Sequence, residues 1–106
     1  MNVGNLYSGI PKALPTERFD DLINTPGLRL ERIVSRGHAT PVGQWYDQDR
    51  AEWVVLLKGA AGLRFEGTAD MINLKPGDYL HIPPHVRHRV EWTAAETETV
   101  WLALYF

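Results

Sequence analysis

The 106-residue chain contains no cysteine. Disulfide scaffolds, thiolate metal sites and thiol nucleophiles are therefore excluded, and a reducing compartment is compatible with the composition. Serine occurs only at Ser8 and Ser35, neither in a Gly-x-Ser-x-Gly elbow, which makes serine-hydrolase chemistry improbable. No phosphate-gripping glycine loop and no paired-histidine helix is present. Basic runs are also missing, and the net charge of -2 removes the electrostatic footprint of a nucleic-acid binder. Arg87 and Arg89 flank His88, but two arginines do not make a basic patch. No apolar run approaches the roughly 20 residues needed to span a bilayer, and no basic-then-apolar signal opens the chain. A cytoplasmic protein without a membrane partner is expected.

What the chain does have is an ordinary globular balance, 44% hydrophobic with 23% charged residues, so wholesale disorder is not expected. Its length suits one domain with a core of its own. Residues 1–27 read as an N-terminal arm and a short helix, and residues 28–106 as a β-barrel domain. The arm is punctuated by Gly4, Gly9, Pro11 and Pro15. Thr16 suits a helix cap, Glu17 and Asp20 suit the first turn, and Phe19, Leu22 and Ile23 fall at the spacing of one apolar stripe. Asn24-Thr25-Pro26-Gly27 stops that helix.

From Leu28 the pattern changes to short apolar runs between turn residues, which predicts an all-β sandwich or barrel. The expected strands are Leu28 to Ser35, Val42 to Tyr46, Glu52 to Leu57, Ala61 to Glu66, Met71 to Leu74, Tyr79 to Ile82, Val86 to Trp92 and Thr99 to Phe106. Such short spacings leave no room for crossover helices, so a small jelly-roll closure is the natural architecture. The final strand should be integral, because six residues as apolar as WLALYF gain by leaving water.

The most informative stretch is LKPGDYLHIPPHVRHRVEW, Leu74 to Trp92. Lys75-Pro76-Gly77-Asp78 suits a tight turn, and Pro83-Pro84 must leave the sheet because neither donates a backbone hydrogen bond. Beyond that corner, alternation puts His88, Val90 and Trp92 on one strand face, expected to be the inner one.

This stretch resembles the second motif of the cupins, small double-stranded β-helix barrels. The family pattern is Gly, five residues, Pro, any residue, Gly, two residues, His, three residues, Asn. Gly77, Pro83 and His88 hold its positions, while His85 stands where the second glycine would be and Trp92 where the asparagine would be. The first motif is half kept. Glu52 and Gly59 have the family spacing, but the two histidine positions hold Trp45 and Asp47, or Tyr46 and Gln48, depending on the count back from Glu52.

The resemblance covers about Gly37 to Phe106. It implies a jelly-roll barrel holding a divalent metal ion (Mn, Fe, Ni or Zn), with His88 and Glu52 as ligands and Asp47 as the substituted third. Glu52 and Tyr46 are the candidate catalytic groups, and Gln48, Trp45, Arg89 and Trp92 the candidate substrate-pocket residues. Oxygenase- or isomerase-like action on a small molecule, in a homodimer, is the implied function. The alternative is a metal-free module that binds a small molecule through Glu52, His88, Tyr46 and Arg89, or a structural role.

The individual residues also have plainer readings. Glu52 can pair with Arg64 or Arg89, His88 can be a hydrogen-bonded interior histidine, and Asp47-Gln48-Asp49-Arg50 suits a surface turn. His38, His81 and His85 remain candidates to replace the missing motif histidines.

Overall fold

A computed structural model describes residues 1–106. Eight strands form the chain's regular structure: β1 Arg18–Thr25, β2 Leu28–Ser35, β3 Glu52–Lys58, β4 Ala61–Phe65, β5 Ile72–Leu74, β6 Tyr79–Ile82, β7 His88–Thr93 and β8 Thr99–Tyr105. A five-stranded sheet has the order β1-β2-β8-β3-β6, and a three-stranded sheet the order β5-β4-β7. Every pairing is antiparallel. The result is an all-β jelly-roll, and no helix is long and apolar enough to cross a membrane.

Alternation builds the core. In β3, Glu52, Val54 and Leu56 are buried while Trp53 and Val55 are half-buried on the opposite face. In β8, Trp101, Ala103 and Tyr105 point inward and meet Leu63, Leu74 and Ile82 from the other strands. Because β8 lies between β2 and β3, the C-terminal strand is central to the larger sheet. Phe106 extends it by exchanging two 3.0 Å backbone hydrogen bonds with Ala51.

The expected N-terminal helix is instead strand β1. The Asn24–Gly27 turn folds it back on β2, whose edge satisfies its backbone groups. The Thr25 hydroxyl donates to the Leu28 carbonyl across that turn, at 3.2 Å. Leu22 is an extra residue between the Asp21–Glu31 and Ile23–Leu30 pairs. This bulge breaks the strand alternation, so Phe19, Leu22 and Ile23 imitate helical spacing without sharing a face. Residues before β1 are tied down by Arg32, whose Nη1 donates to the Leu6 and Ser8 carbonyls at 3.1 and 2.6 Å. Its Nη2 lies 2.7 Å from Asp20 Oδ2.

The expected strand Val42 to Tyr46 shrinks to a single bridge between Tyr46 and His88. Pro41 lacks a donor, Gly43 has φ +80°, and Gln44 N–H closes a turn on the Pro41 carbonyl at 3.1 Å. Those conditions curl the segment before it can pair.

A second bulge corrects the face of Trp92. Gly62 pairs with Trp92 but Leu63 pairs with Val90, leaving Glu91 as the extra residue in β7. His88 and Val90 therefore point inward and Trp92 outward. Its indole covers Gly62, where an added Cβ would collide with Trp92 Nε1.

Candidate functional site

The inner faces of both sheets enclose a cavity of about 60 Å³. The double-proline corner delivers His88 into it, the start of β3 delivers Glu52, and the Tyr46 bridge lays a phenol beside the imidazole. The Tyr46 and His88 rings lie 5.6 Å apart. Gln48, Trp101, Tyr105 and Glu17 complete the polar part of the wall.

His88 Nδ1 lies 2.9 Å from the Val86 carbonyl. A carbonyl only accepts, so Nδ1 carries the proton and the neutral ring presents the Nε2 lone pair to the interior. That nitrogen is 3.7 Å from Glu52 Oε1, and the two residues are 5% and 6% exposed. The distance exceeds that of a hydrogen bond. Nor do the groups form an ion pair. Burial lowers the His88 pKa, and the bond to Val86 opposes this. Burial, reinforced by the Glu31 carboxylate, pushes Glu52 up to about 7, against the pull of a hydrogen bond from Gln48 and the charge of Arg29. Both groups favour their neutral forms.

Surrounding groups fix this environment. Tyr105 donates from its hydroxyl to Glu31 Oε1 at 2.9 Å, and burial together with the charges of Glu52 and Glu31 raises its pKa far above the ordinary phenol value. Burial and Glu17 raise the pKa of Tyr46, which remains a protonated donor at neutral pH. Glu17 itself accepts from the Ser35 hydroxyl at 2.7 Å. The Trp101 indole N–H is buried without a partner.

Of the expected site residues, Glu52, Tyr46, His88 and Gln48 line the cavity. Asp47 does not join them. The Asp47–Arg50 segment turns at the surface, and Asp47 Oδ1 meets His85 Nδ1 at 2.8 Å. Arg89 also lies elsewhere. Its guanidinium holds the preceding loop by donating to the carbonyls of Thr40, Pro41 and Gln44. Trp45 lies near Arg89 and Arg64, with ring-centroid distances of 5.8 and 6.0 Å. Trp92 is 37% exposed and its N–H points to Met71 Sδ at 3.2 Å.

None of the other histidines replaces a motif histidine. His38 accepts the Arg36 N–H in a loop, His81 stacks on Phe106 outside the sheet, and His85 is on the surface. Glu17, Glu31, Trp101 and Tyr105 are site groups that local spacing does not reveal. Only the register of β2 against β8, and the path of the arm, bring them together.

The donor set does not fit a resident metal ion. No three His, Cys, Asp or Glu side chains converge, since the expected third donor is held by His85 at the surface. What the cavity offers is acid–base chemistry: one carboxyl poised near neutrality, one imidazole lone pair and a phenolic donor.

Comparison with known proteins agrees with this architecture. The cupin domain family model matches residues 35–105. A provisionally assigned mannose-6-phosphate isomerase from Ralstonia eutropha JMP134 superposes with a TM-score of 0.95 at 45% identity, covering 99% of this chain and 97% of that one. A cupin superfamily protein from Desulfitobacterium hafniense DCB-2 gives 0.74 at 16% identity over 92% and 83% of the two chains, a likeness of fold. Glucose-6-phosphate isomerase from Thermococcus gammatolerans is 40% identical over 60 residues, 54% of this chain and 31% of that protein. The match spans about a third of that relative's length. With its family match, strand order and double-proline motif in agreement, the chain belongs to the cupin family.

Proposed function

We propose that the cavity receives the hydroxycarbonyl end of a small carbohydrate-like molecule and moves a proton between adjacent carbons, an aldose–ketose type of isomerisation, without a resident metal. The observation that carries this reading is the buried Glu52 carboxyl, pushed up to about 7 and facing an open imidazole nitrogen at 3.7 Å. A base with a pKa near the working pH is matched to proton transfer in both directions.

In the forward step Glu52 removes the proton from the carbon beside the carbonyl. The electron pair of that C–H bond forms the enediol C=C, and the carbonyl oxygen takes a proton from the Tyr46 hydroxyl. His88 Nε2 accepts the proton of the neighbouring hydroxyl as that oxygen becomes the new carbonyl. Glu52 then returns its proton to the adjacent carbon, and the hydroxyl proton restores Tyr46. The names of the relatives, hexose-phosphate isomerases, support the substrate class.

Deuterium wash-in tests the proposal. Chelator-treated protein is incubated with glucose 6-phosphate or mannose 6-phosphate in D2O, and C2 is followed by NMR. Exchange that falls at least about a hundredfold in Glu52→Gln is expected. Binding without exchange would instead establish a metal-free binding module, a reading favoured by the absent third donor.

The proposal places the protein in the cytoplasm, supported by the absence of cysteine. It also includes a homodimer, supported by the outer face of the five-stranded sheet, where Trp53, Tyr79 and Phe106 present apolar surface. Light scattering should give twice the monomer mass, and a monomer at micromolar concentration would reject the dimer.

A further inference from the structure

The cavity is too small to enclose a hexose phosphate. Its volume of about 60 Å³ is well below the ~300–1,000 Å³ of pockets that surround a whole small ligand. Its wall contains two carboxylates, Glu17 and Glu52, and no lysine or arginine. An anionic group is therefore disfavoured inside, and only an uncharged end of a ligand suits the interior.

An adjoining crevice of about 400 Å³ has the complementary character. Gln48 and Tyr105 form part of both walls, so the crevice lies directly beside the cavity. Arg29 and Arg50 supply its charge, with Asn24 and Asp49 as the remaining wall.

Both guanidinium groups are held in place. Arg29 lies over the Tyr105 ring, 4.5 Å from its centroid, and its field is felt at Glu52. Its Nε is 3.8 Å from Glu31 Oε2, beyond a hydrogen bond, and has no partner. Arg50 donates from Nη2 to the Pro26 carbonyl at 2.9 Å, which ties it to the β1–β2 turn and leaves its other donors free to face a ligand. Asp49, 96% exposed at its side chain, leans towards His85 at 3.6 Å. Two fixed guanidinium groups beside one solvated carboxylate suit a phosphate monoester dianion, which accepts paired hydrogen bonds from the planar fork.

We propose that the crevice is an anion subsite in which Arg29 and Arg50 bind the phosphate of the ligand while its hydroxycarbonyl end passes Gln48 and Tyr105 into the cavity. The inference rests on the reading of the cavity given above and adds the group that recognises the other end of the substrate. Electrostatic attraction at the mouth would also align the ligand with its uncharged end inward.

Calorimetric binding of glucose 6-phosphate, glucose and inorganic phosphate, with wild type, Arg29→Gln, Arg50→Gln and Glu52→Gln, tests this. Glucose 6-phosphate should bind at least tenfold more tightly than glucose, inorganic phosphate should compete, each arginine variant should weaken the sugar phosphate about tenfold or more, and Arg50→Gln should leave glucose unchanged. Added salt should reduce the difference between the two sugars. Arg50 is exposed, so its variant reports on binding even where loss of Arg29 disturbs Tyr105.

Equal affinity for glucose and glucose 6-phosphate, or sugar-phosphate binding unchanged in Arg50→Gln and Arg29→Gln, overturns the subsite. So does failure of glucose 6-phosphate to bind at millimolar concentration. Arginine-dependent binding without deuterium exchange keeps the subsite and removes the isomerase reading. Exchange that persists undiminished in both arginine variants at subsaturating substrate does the reverse.

Discussion

Replacing Glu52 by glutamine should stabilise the protein at alkaline pH and not at acidic pH. The carboxyl has an ordinary value of 4.5 and is pushed up to about 7 by burial and by Glu31. At about 1.4 kcal/mol per pH unit, that interval amounts to about 3 kcal/mol. Its sign follows from the direction. The unfolded chain ionises Glu52 first, so the contribution to stability is fully present below 4.5, is lost as pH rises through about 7, and is constant above. Glutamine keeps the shape and the neutral state at every pH.

The stability of Glu52→Gln minus that of wild type should therefore grow by roughly 2–3 kcal/mol between pH 5 and pH 8.5. Urea unfolding of both proteins at the two pH values measures it, as a relative midpoint shift on the order of 1 M or more for slopes of ~1–3 kcal/mol/M. Groups common to both proteins cancel in the comparison. A difference that stays constant across that range would show that Glu52 titrates normally, and the proposed base would lose its physical support.

Other substitutions test the scaffold around the cavity. Gly59→Ala should destabilise by about 3 kcal/mol or more in a denaturation titration, because its Cβ would lie 2.7 Å from Thr99 Cα and 2.9 Å from the Glu98 carbonyl at φ +88°. Removing the guanidinium in Arg32→Ala should cost about 3 kcal/mol and make residues 1–15 cleavable in limited proteolysis, since Arg32 holds Leu6, Ser8 and Asp20. His85→Gly relieves a left-handed backbone at φ 63° while losing the exposed contact with Asp47, so global stability should change by less than about 1 kcal/mol. Amide exchange at Gln48 to Arg50 should nevertheless accelerate in that variant.

Much of the barrel is legible in the chain because alternation, glycine turns and the double proline are local signals. Leu28–Ser35 and Tyr79–Ile82 appear as strands over the residues that the pattern predicts. The misread elements are those where one extra residue alters the period. Leu22 makes β1 resemble a helix, and Glu91 sends Trp92 outward. Bulges are decided by pairing across strands, which a single stretch of sequence does not display.

The site divides along the same line. His88 and Glu52 keep family spacing and do face each other, and Tyr46 and Gln48 join them from the half-kept first motif. Asp47 has the same motif credentials but follows the turn chemistry of Asp47-Gln48-Asp49-Arg50 to the surface. Glu31 and Tyr105 enter through the registry of β2 on β8 and Glu17 through the path of the arm, and the elevated Glu52 carboxyl follows from burial reinforced by Glu31.

The most direct measurement is the ionisation of Glu52 itself. Carbon-13 NMR of side-chain carboxyls in uniformly labelled protein, with Glu52→Gln to assign the resonance, follows that carboxyl from pH 4 to pH 9. A midpoint near 7 is expected, with His88 remaining neutral and protonated on Nδ1 across the neutral range. A Glu52 midpoint at or below 4.5 would contradict the account, because the cavity would then hold a permanently charged carboxylate with no capacity to keep and return a proton at neutral pH.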